Sequence, residues 1–144
     1  MQKHSTDLLD AEVWLALVTE SHAGHARALQ YWETQTQAMA AFCRCTQLSL
    51  LQKLTDPVVM GESVLTPVVA WTKLEELLSL PEVGFLDEPP MIDQALAQCA
   101  REAIAEFGLG TEIYLAAFAS VARARLVTFD PRCKRFGGVE VLVL

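Results

Sequence analysis

The sequence predicts an α/β domain, a three-layer α/β/α sandwich in which helices cover both faces of a central, mainly parallel sheet. Short apolar runs alternate along the chain with longer segments of helical periodicity, which is the pattern of parallel strands joined by helices. The chain has 144 residues, of which 52% are hydrophobic and 20% are charged. This length suits one domain and this composition can bury a full core, so we expect residues 1–144 to form a single domain.

The first half of the chain predicts two strands and four helices. The third helix ends before Asp56-Pro57, because the residue before a proline disfavours the helical conformation. The fourth helix begins at Thr66-Pro67, where threonine can cap the helix and proline suits the first position. The strands are predicted at residues 7–10, the end of a short apolar run, and 38–43, and the helices at 11–18, 22–36, 46–54 and 66–80.

The second half predicts three strands and two helices. Gly108 to Gly110 separate the two helices, and the second helix is so strongly apolar that we expect it to pack on the sheet over most of its surface. The strands are predicted at residues 83–86, 125–129 and 139–144, and the helices at 90–107 and 111–122. Helical periodicity places Ala26, Leu29 and Trp32, then Leu48, Leu51 and Leu54, then Ile92, Leu96 and Ala103 on inward faces.

Composition excludes several classes of function. The net charge of −7 argues against a protein that coats duplex DNA by charge alone, although a nuclease with metal ions remains possible. The four cysteines form no CxxC pair and lie far from the three histidines, which disfavours a zinc ribbon or finger and favours reduced, mostly buried thiols. No apolar run approaches the roughly 18 residues of a membrane span, and the N-terminus lacks a signal-peptide core. We expect a soluble, cytoplasmic protein without membrane contact.

Two aspartates follow predicted strands, and sites in open α/β sheets form beyond the carboxyl ends of strands. Asp10 ends the first strand and Asp130 ends the strand before the last. Carboxylates held at one sheet edge repel each other unless a cation binds, and Mg2+ prefers carboxylate oxygens. Such an ion can activate water against a phosphoryl group. The alternative is that each aspartate caps a helix, and position alone does not separate the two. No glycine-rich phosphate loop or GxSxG motif is present.

The chain resembles the PIN-domain ribonucleases, and within them the VapC-type toxins of prokaryotic toxin–antitoxin pairs. LLDAEVWLAL resembles the family's first strand, catalytic aspartate and following helix, and His22, His25 and Ala26 resemble its second helix. FCRCTQLSLLQKLTDPVVMG resembles the segment with the second site position, and TEIYLAAFASVARARLVTFDPRCKRFGGVEVLVL resembles the C-terminal half. The match rests on the order and spacing of these segments over nearly the whole chain, and it implies a PIN-like fold.

The resemblance implies five catalytic positions. Asp10 matches the first aspartate, a direct metal ligand, and Asp130 matches the last, a ligand directly or through water. Glu112 stands where the third acid is usually aspartate, and it is the third expected metal ligand. Gln47 stands at a position that is usually glutamate, and Glu12 at one that is usually asparagine. These departures put catalytic activity in question but leave the fold assignment intact.

Each of these residues also has a purely structural alternative. Gln47 could sit in the first turn of its helix, and Glu12 could be an exposed helix residue. Glu112 suits the first turn of its helix, where a negative charge meets the positive end of the helix dipole. Thr128, two residues before Asp130, is a candidate substrate-binding residue that hydrogen-bonds into the site, and the alternative is a plain strand residue.

The resemblance also implies the substrate, the cofactor and the partners. These are RNA, Mg2+ or Mn2+, a cognate antitoxin protein and a second copy of the chain in a homodimer. Five of the eleven lysines and arginines lie in the last segment, and Arg132 and Arg135 are the substrate-binding candidates; the alternative is an ordinary solvated patch. The candidate interface residues are Trp14, Tyr31, Trp32 and the aliphatic face of 71–78, which could equally be core.

The leading hypothesis is a metal-dependent endoribonuclease that acts as the toxin of a type II toxin–antitoxin system. It rests on Asp10, Glu112 and Asp130 in a PIN-like chain. The second hypothesis is a catalytically impaired PIN-like module that binds RNA or protein, and it rests on the departures at Glu12, Gln47 and Glu112. A third, weaker hypothesis is a metal-dependent phosphatase or DNA nuclease of the same α/β class.

Overall fold

Five parallel strands form one sheet in the computed structural model, which describes residues 5–35, 39–103 and 110–144. The strand order is β3-β2-β1-β4-β5, and every neighbouring pair is parallel. The predicted parallel sheet is therefore confirmed. The strands are β1 (Thr6–Leu9), β2 (Met39–Phe42), β3 (Val83–Phe85), β4 (Arg125–Thr128) and β5 (Val141–Val143).

The helices follow the predicted order, and two of them match the predicted bounds. They are α1 (Ala11–Val18), α2 (His25–Thr34), α3 (Arg44–Leu54), α4 (Pro57–Met60), α5 (Pro67–Leu78), α6 (Ile92–Glu102) and α7 (Thr111–Ala122). The prediction missed α4 and the 3-10 segments Gly61–Ser63 and Pro131–Arg135, because segments this short show no hydrophobic period. The parts of the predictions at residues 36, 38, 104–107 and 108–109 lie outside the described residues.

Two helix starts differ from the prediction because local hydrogen bonds decide them. α3 begins two residues earlier, because Cys43 and Thr46 form a capping box in which the Cys43 amide donates to the Thr46 hydroxyl at 3.0 Å. α2 begins three residues later, because the Gly24 amide donates to Nδ1 of His22 at 2.9 Å and closes a turn before the helix.

The sheet separates two hydrophobic clusters, which confirms the three-layer arrangement. Successive strand residues point to opposite faces: Leu8 and Leu126 pack with α6 and α7, whereas Leu9 and Val127 pack with α1, α3 and α5. Ile92, Leu96 and Ala103 pack against the first cluster, as predicted. All four cysteines are free thiols, and Cys43, Cys99 and Cys133 are buried, as expected. No helix within the described residues is long and apolar enough to span a membrane.

The inward faces of α2 and α3 agree with the prediction in part, since Trp32, Leu51 and Leu54 pack in the second cluster as predicted. Ala28 and Tyr31 are buried in α2, whereas Ala26 and Leu29 are exposed. In α3 the buried leucines are Leu50 and Leu54, whereas Leu48 is 58% exposed. Each helix carries two apolar stripes, so the period alone did not fix which one faces the sheet. Of the interface candidates, Trp14 and Tyr31 are core residues, and Trp14 stacks on Phe42 with ring centroids 4.0 Å apart.

A buried ion pair at the amino ends of β1 and β4 sets the phase of α2. Asp7 is fully buried and lies opposite Arg125 in the parallel register. The Arg125 guanidinium donates to both Asp7 oxygens at 2.9 Å and to the Gln35 carbonyl at 2.8 Å. The Tyr31 hydroxyl donates to Asp7 at 2.6 Å, and burial followed by this bond raises the pKa of Tyr31. The pair thus ties two strands to the end of α2.

We predict that Asp7→Asn lowers the free energy of unfolding by about 3–5 kcal/mol, because it leaves the Arg125 charge buried without its counter-ion. Urea denaturation followed by circular dichroism measures this change. The matched control is Asp87→Asn at an exposed loop position, where we expect a change within about 0.5 kcal/mol. Equal, small effects of the two substitutions would contradict the prediction.

Candidate active site

The candidate site lies where the direction of strand order reverses. The chain places β2 and β3 on one side of β1 and then β4 and β5 on the other. At such a switch point the connections leave in opposite directions and open a crevice beyond the carboxyl ends of the strands. Asp10 follows β1, and Asp130 lies two residues after the end of β4. Both predicted aspartates are therefore at this edge of the sheet.

Thr128 joins the two aspartates. Its buried hydroxyl donates to Oδ2 of Asp10 at 3.1 Å and accepts from the Asp130 amide at 3.1 Å. The Asp10 amide also donates to the carbonyl of Val127 at 2.9 Å, which continues the pairing of β1 with β4. Thr128 is thus a strand residue that also hydrogen-bonds into the site, so its two interpretations hold together. Its contact with substrate stays a prediction.

Asp10 is both a helix cap and a cavity residue. Its Oδ1 accepts from the Glu12 amide at 3.4 Å, so it caps α1 as the structural alternative supposed. Burial raises the pKa of its carboxyl, and the negative charges of Glu112 and Glu12 raise it further, against the lowering effect of the Glu12 amide and Thr128 hydrogen bonds. Asp10 therefore lies in a position where carrying a negative charge is costly.

A cavity of 450 Å³ opens beside Asp10 and brings together three of the five predicted catalytic residues: Asp10, Glu12 and Glu112. The other charged side chains in its lining are Asp56 and Lys53. Glu112 is in the first turn of α7, so it faces the cavity and also meets the positive end of that helix. The cavity is lined by four carboxylates and one ammonium group.

Glu12 is neither a free exposed residue nor a simple replacement for asparagine. Nε2 of His22 lies 2.8 Å from one of its carboxylate oxygens, and Nζ of Lys53 lies 3.1 Å from the other. Burial by itself would raise the pKa of Glu12, but the hydrogen bonds from His22 and Lys53 and the charge of Lys53 outweigh it and hold the pKa below its ordinary value. Glu12 is therefore an ion-paired carboxylate at neutral pH.

Gln47 lies in the first turn of α3 but not in the lining of this cavity. The side chain is buried, and its oxygen accepts from the Arg44 guanidinium at 2.7 Å. That guanidinium lies over the Phe85 ring, 5.0 Å from its centroid. The first-turn alternative therefore holds for Gln47, and its catalytic role stays a prediction.

Asp130 and Arg132 neutralise each other beyond the end of β4. The Asp130 carboxylate caps the 3-10 segment by accepting from the Arg132 amide at 3.0 Å, and the Arg132 guanidinium donates to it at 2.8 Å. The hydrogen bond from Arg132 is the main cause that lowers the pKa of Asp130. Arg135 is exposed at the end of the same segment. Roles of Arg132 and Arg135 in substrate binding stay predictions.

The basic residues of the last segment do not form one patch. Arg125 is bound to Asp7 at the amino ends of the strands. Arg123 lines a different cavity, of 620 Å³, at this same amino-terminal edge. Arg132, Lys134 and Arg135 belong to the 3-10 segment that follows Asp130. Only these last three can serve a site at the carboxyl edge of the sheet.

The donor set fits a hydrated divalent ion held by two carboxylates. Among the described residues, no group of three or more histidine, cysteine, aspartate or glutamate side chains is arranged to hold a metal ion. Asp10 and Glu112 nevertheless line one cavity, and the charge of Glu112 raises the pKa of Asp10. Mg2+ keeps several waters and is often held by one or two carboxylates. The ion, and the predicted ligand set of Asp10, Glu112 and Asp130, stay predictions.

Sequence reasoning missed Lys53 and His22. Lys53 shares one face of α3 with Ser49 and Gln52, and all three line the cavity. Their spacing of three and four residues is that of a polar stripe on a helix, so a search for polar stripes would have found it. His22 lies before α2, and its sequence context carries no such periodic signal. Its partner Glu12 is ten residues away, on α1.

Three solved structures share this architecture over nearly the whole chain. VapBC2 of Rickettsia felis bound to promoter DNA has a TM-score of 0.68 at 13% identity and covers 96% of this chain and 98% of its own. VapC20 of Mycobacterium tuberculosis, a sarcin-ricin-loop-cleaving toxin, has a TM-score of 0.66 at 16% identity, with coverage of 94% and 98%. FitAcB of Neisseria gonorrhoeae has a TM-score of 0.69 at 18% identity, with coverage of 94% and 96%. The fold is therefore that of the PIN-domain toxins.

Sequence similarity identifies the family within this fold. Ribonuclease VapC41 of M. tuberculosis is 32% identical over 145 residues, which cover 95% of this chain and 97% of the relative. Ribonuclease VapC39 of the same organism is 33% identical over 127 residues, which cover 87% and 88%. The chain belongs to the VapC family of ribonucleases, as its sequence pattern indicated. No protein-family model matches it.

We predict that Asp10→Asn raises the melting temperature of the metal-free protein at neutral pH by a few degrees. The pKa of Asp10 is higher in the folded chain than its ordinary value of 3.8, so the folded chain binds this proton more tightly than the unfolded chain does. The charged carboxylate therefore costs stability above the folded pKa. Asparagine removes this cost, and its gain should shrink as the pH falls towards 3.8.

The matched control for this prediction is Asp130→Asn, because its carboxyl is shifted in the opposite direction. The pKa of Asp130 is lowered by Arg132, so its charge stabilises the fold at neutral pH and is lost as the pH falls. Thermal melts in excess chelator should show a higher melting temperature for Asp10→Asn and a lower one for Asp130→Asn. The same direction for both variants would be incompatible with this account.

Proposed function

We propose that this protein is a metal-dependent endoribonuclease, the toxin of a type II toxin–antitoxin system that acts in the cytoplasm. One observation carries the proposal: Asp10 and Glu112 face a single cavity at the switch point of the sheet, and the charge of Glu112 raises the pKa of Asp10. A cation offsets such repulsion. The names of the two M. tuberculosis relatives as ribonucleases support RNA as the substrate.

Each residue of the site has its own role in the proposed reaction. Asp10 and Glu112 would hold Mg2+ or Mn2+, and the bound ion would supply an activated water and neutralise charge on the phosphodiester. Thr128 keeps the Asp10 carboxylate oriented through its hydroxyl. Asp130 would join the metal site directly or through water, and Arg132 and Arg135, in the 3-10 segment that Asp130 caps, would contact a second part of the RNA backbone.

A second candidate is a PIN-like module that binds RNA or protein without efficient catalysis. One observation favours it: the Gln47 oxygen, at a position where the resemblance implies a glutamate, is engaged by Arg44. This candidate retains the fold and the cavity but not the chemistry. The experiment below separates it from the ribonuclease.

The proposal includes an antitoxin protein and a second copy of the chain as partners. The structural neighbours VapBC2 of R. felis and FitAcB of N. gonorrhoeae support an antitoxin partner. In this chain, large apolar side chains are exposed along α3, α4 and α5, among them Leu48 (58%), Val58 (91%), Val68 (76%) and Trp71 (48%). Exposed apolar surface of this kind is typical of protein interfaces. Trp71 therefore remains an interface candidate, unlike Trp14 and Tyr31.

We predict that the purified protein cleaves a structured RNA pool with Mg2+ or Mn2+, and that Asp10→Asn slows cleavage by at least about 100-fold, the scale of losing a group that stabilises transition-state charge. Titration with each metal should raise the melting temperature of the wild type but not of the variant. Gel analysis of RNA fragments and thermal shift measure the two effects. Asp87→Asn serves as the control that keeps both.

Two results would contradict parts of this proposal. Cleavage that persists in excess chelator, or at full rate in Asp10→Asn, would exclude the metal site built on Asp10. Binding of RNA without any metal response or cleavage would favour the impaired module. Cleavage of phosphomonoesters or DNA, and not of RNA, would favour the phosphatase or DNA nuclease.

A further inference from the structure

Lys53 is the only cationic side chain in the lining of the cavity that contains Asp10 and Glu112, among the residues that the structure describes. It lies on α3, and its side chain is 34% exposed. Its Nζ is 3.1 Å from Oε2 of Glu12. An ammonium group has three donors, so a single carboxylate contact of this kind leaves it able to donate to an additional anion.

Glu12 is held in turn by His22 from the opposite side. Nδ1 of His22 accepts from the Gly24 amide at 2.9 Å, which requires this nitrogen to be without a proton. Nε2 therefore carries the proton and donates to Oε1 of Glu12 at 2.8 Å. The carboxylate thus has one oxygen fixed by His22 and the other directed at Lys53.

Packing fixes the histidine itself. The His22 ring stacks on Phe129, with centroids 6.1 Å apart and planes 19° apart. Gly24 allows the backbone to come this close, because a Cβ at this position would lie 2.6 Å from Cζ of Phe129. Phe129 lies between Thr128 and Asp130 in the sequence. His22 therefore packs against the same strand end that carries the candidate catalytic residues.

A polyanionic substrate can bind in this cavity only if cations offset the carboxylates of its lining. Its other charged side chains are the carboxylates Asp10, Glu12, Asp56 and Glu112, which repel phosphate. A metal ion would offset Asp10 and Glu112 at the reacting phosphate but would not reach every phosphate of the strand. Arg132 is bound by Asp130 outside this lining.

We propose that Lys53 is a substrate-binding residue that contacts an RNA phosphate next to the cleaved bond, and that Glu12 and His22 are positioning residues that direct its ammonium group into the cavity. This proposal rests on RNA as the substrate of the site. It gives Glu12 a specific task in this chain: Glu12 sets the position of a cation instead of binding the metal.

The first experiment compares Lys53→Met and Lys53→Arg with Lys73→Met, a lysine on α5 outside the cavity. Binding of a single-stranded RNA is measured by fluorescence anisotropy at several salt concentrations in the Asp10→Asn background, and cleavage kinetics are measured with Asp10 present. Loss of one phosphate contact should reduce the slope of log Kd against log salt by about 0.7.

We expect Lys53→Met to show this reduction. We also expect its KM to be about 10-fold higher with little change in kcat, which corresponds to a loss of about 1.4 kcal/mol of binding free energy. Lys53→Arg and Lys73→Met should retain the slope and KM.

A double-mutant cycle tests the positioning residues. His22→Ala alone should raise KM several-fold, whereas in the Lys53→Met background it should add nothing, because it acts through Lys53. Glu12→Gln should behave in the same way. A purely structural role of His22 would instead lower the melting temperature and raise KM equally in both backgrounds.

The outcomes separate this proposal from the proposed function. Cleavage by the wild type with an unchanged salt slope and KM in Lys53→Met would overturn the role of Lys53 and leave the ribonuclease intact. RNA binding that depends on Lys53 without cleavage would support the contact and refute the catalytic function. Absence of both binding and cleavage in the folded wild type would overturn both. Should Lys53→Met not fold, Lys53→Gln replaces it in the same comparison.

Discussion

The pairing of β1 with β4 is the constraint on which the rest of the molecule depends. The register sets Asp7 opposite Arg125 at one end and continues from Leu9 and Val127 to the Asp10 amide at the other. The same register sends Leu8 and Leu126 to one hydrophobic cluster and Leu9 and Val127 to the other. A shift of this register by one residue would turn the side chains of the shifted strand to the opposite face of the sheet. It would also separate Asp7 from Arg125 and Asp10 from Thr128. One strand register therefore positions both the buried ion pair and the candidate site.

Several carboxylates lie at the carboxyl edge of the sheet, and they differ in their partners. Burial and the charge of Glu112 raise the pKa of Asp10, while cationic or hydrogen-bonding partners lower the pKa values of Glu12 and Asp130. The ion-paired carboxylates hold the loops and helix starts in place. Asp10 has hydrogen-bond donors but lies near a second carboxylate, which favours binding of a cation. This difference in pairing, more than the number of acids, is the reason to propose Asp10 as the centre of the metal site.

The sequence predicted the sheet, the bounds of α1 and α7 and the position of both aspartates, because hydrophobic patterning and the end of a strand are local properties. The phase of α2 escaped it, because Tyr31 is turned inward by a hydrogen bond to Asp7 on a distant strand. His22 escaped it for the same reason, since its partner Glu12 lies on a distant helix. Lys53 lies in a local polar stripe of α3 that the prediction did not use. Gln47 was placed in the correct helical turn, but its partner Arg44 could not be chosen from spacing alone.

The buried Asp7–Arg125 pair and the Asp10 cavity lie at opposite ends of strands that are only four residues long. The fold is therefore anchored at the end of the sheet opposite the candidate site. Glu12, Gln47 and Glu112 lie away from this anchor, which explains how they can depart from the family pattern while the architecture persists. Evolutionary change in substrate or partner is thus open to this edge of the molecule without a new scaffold.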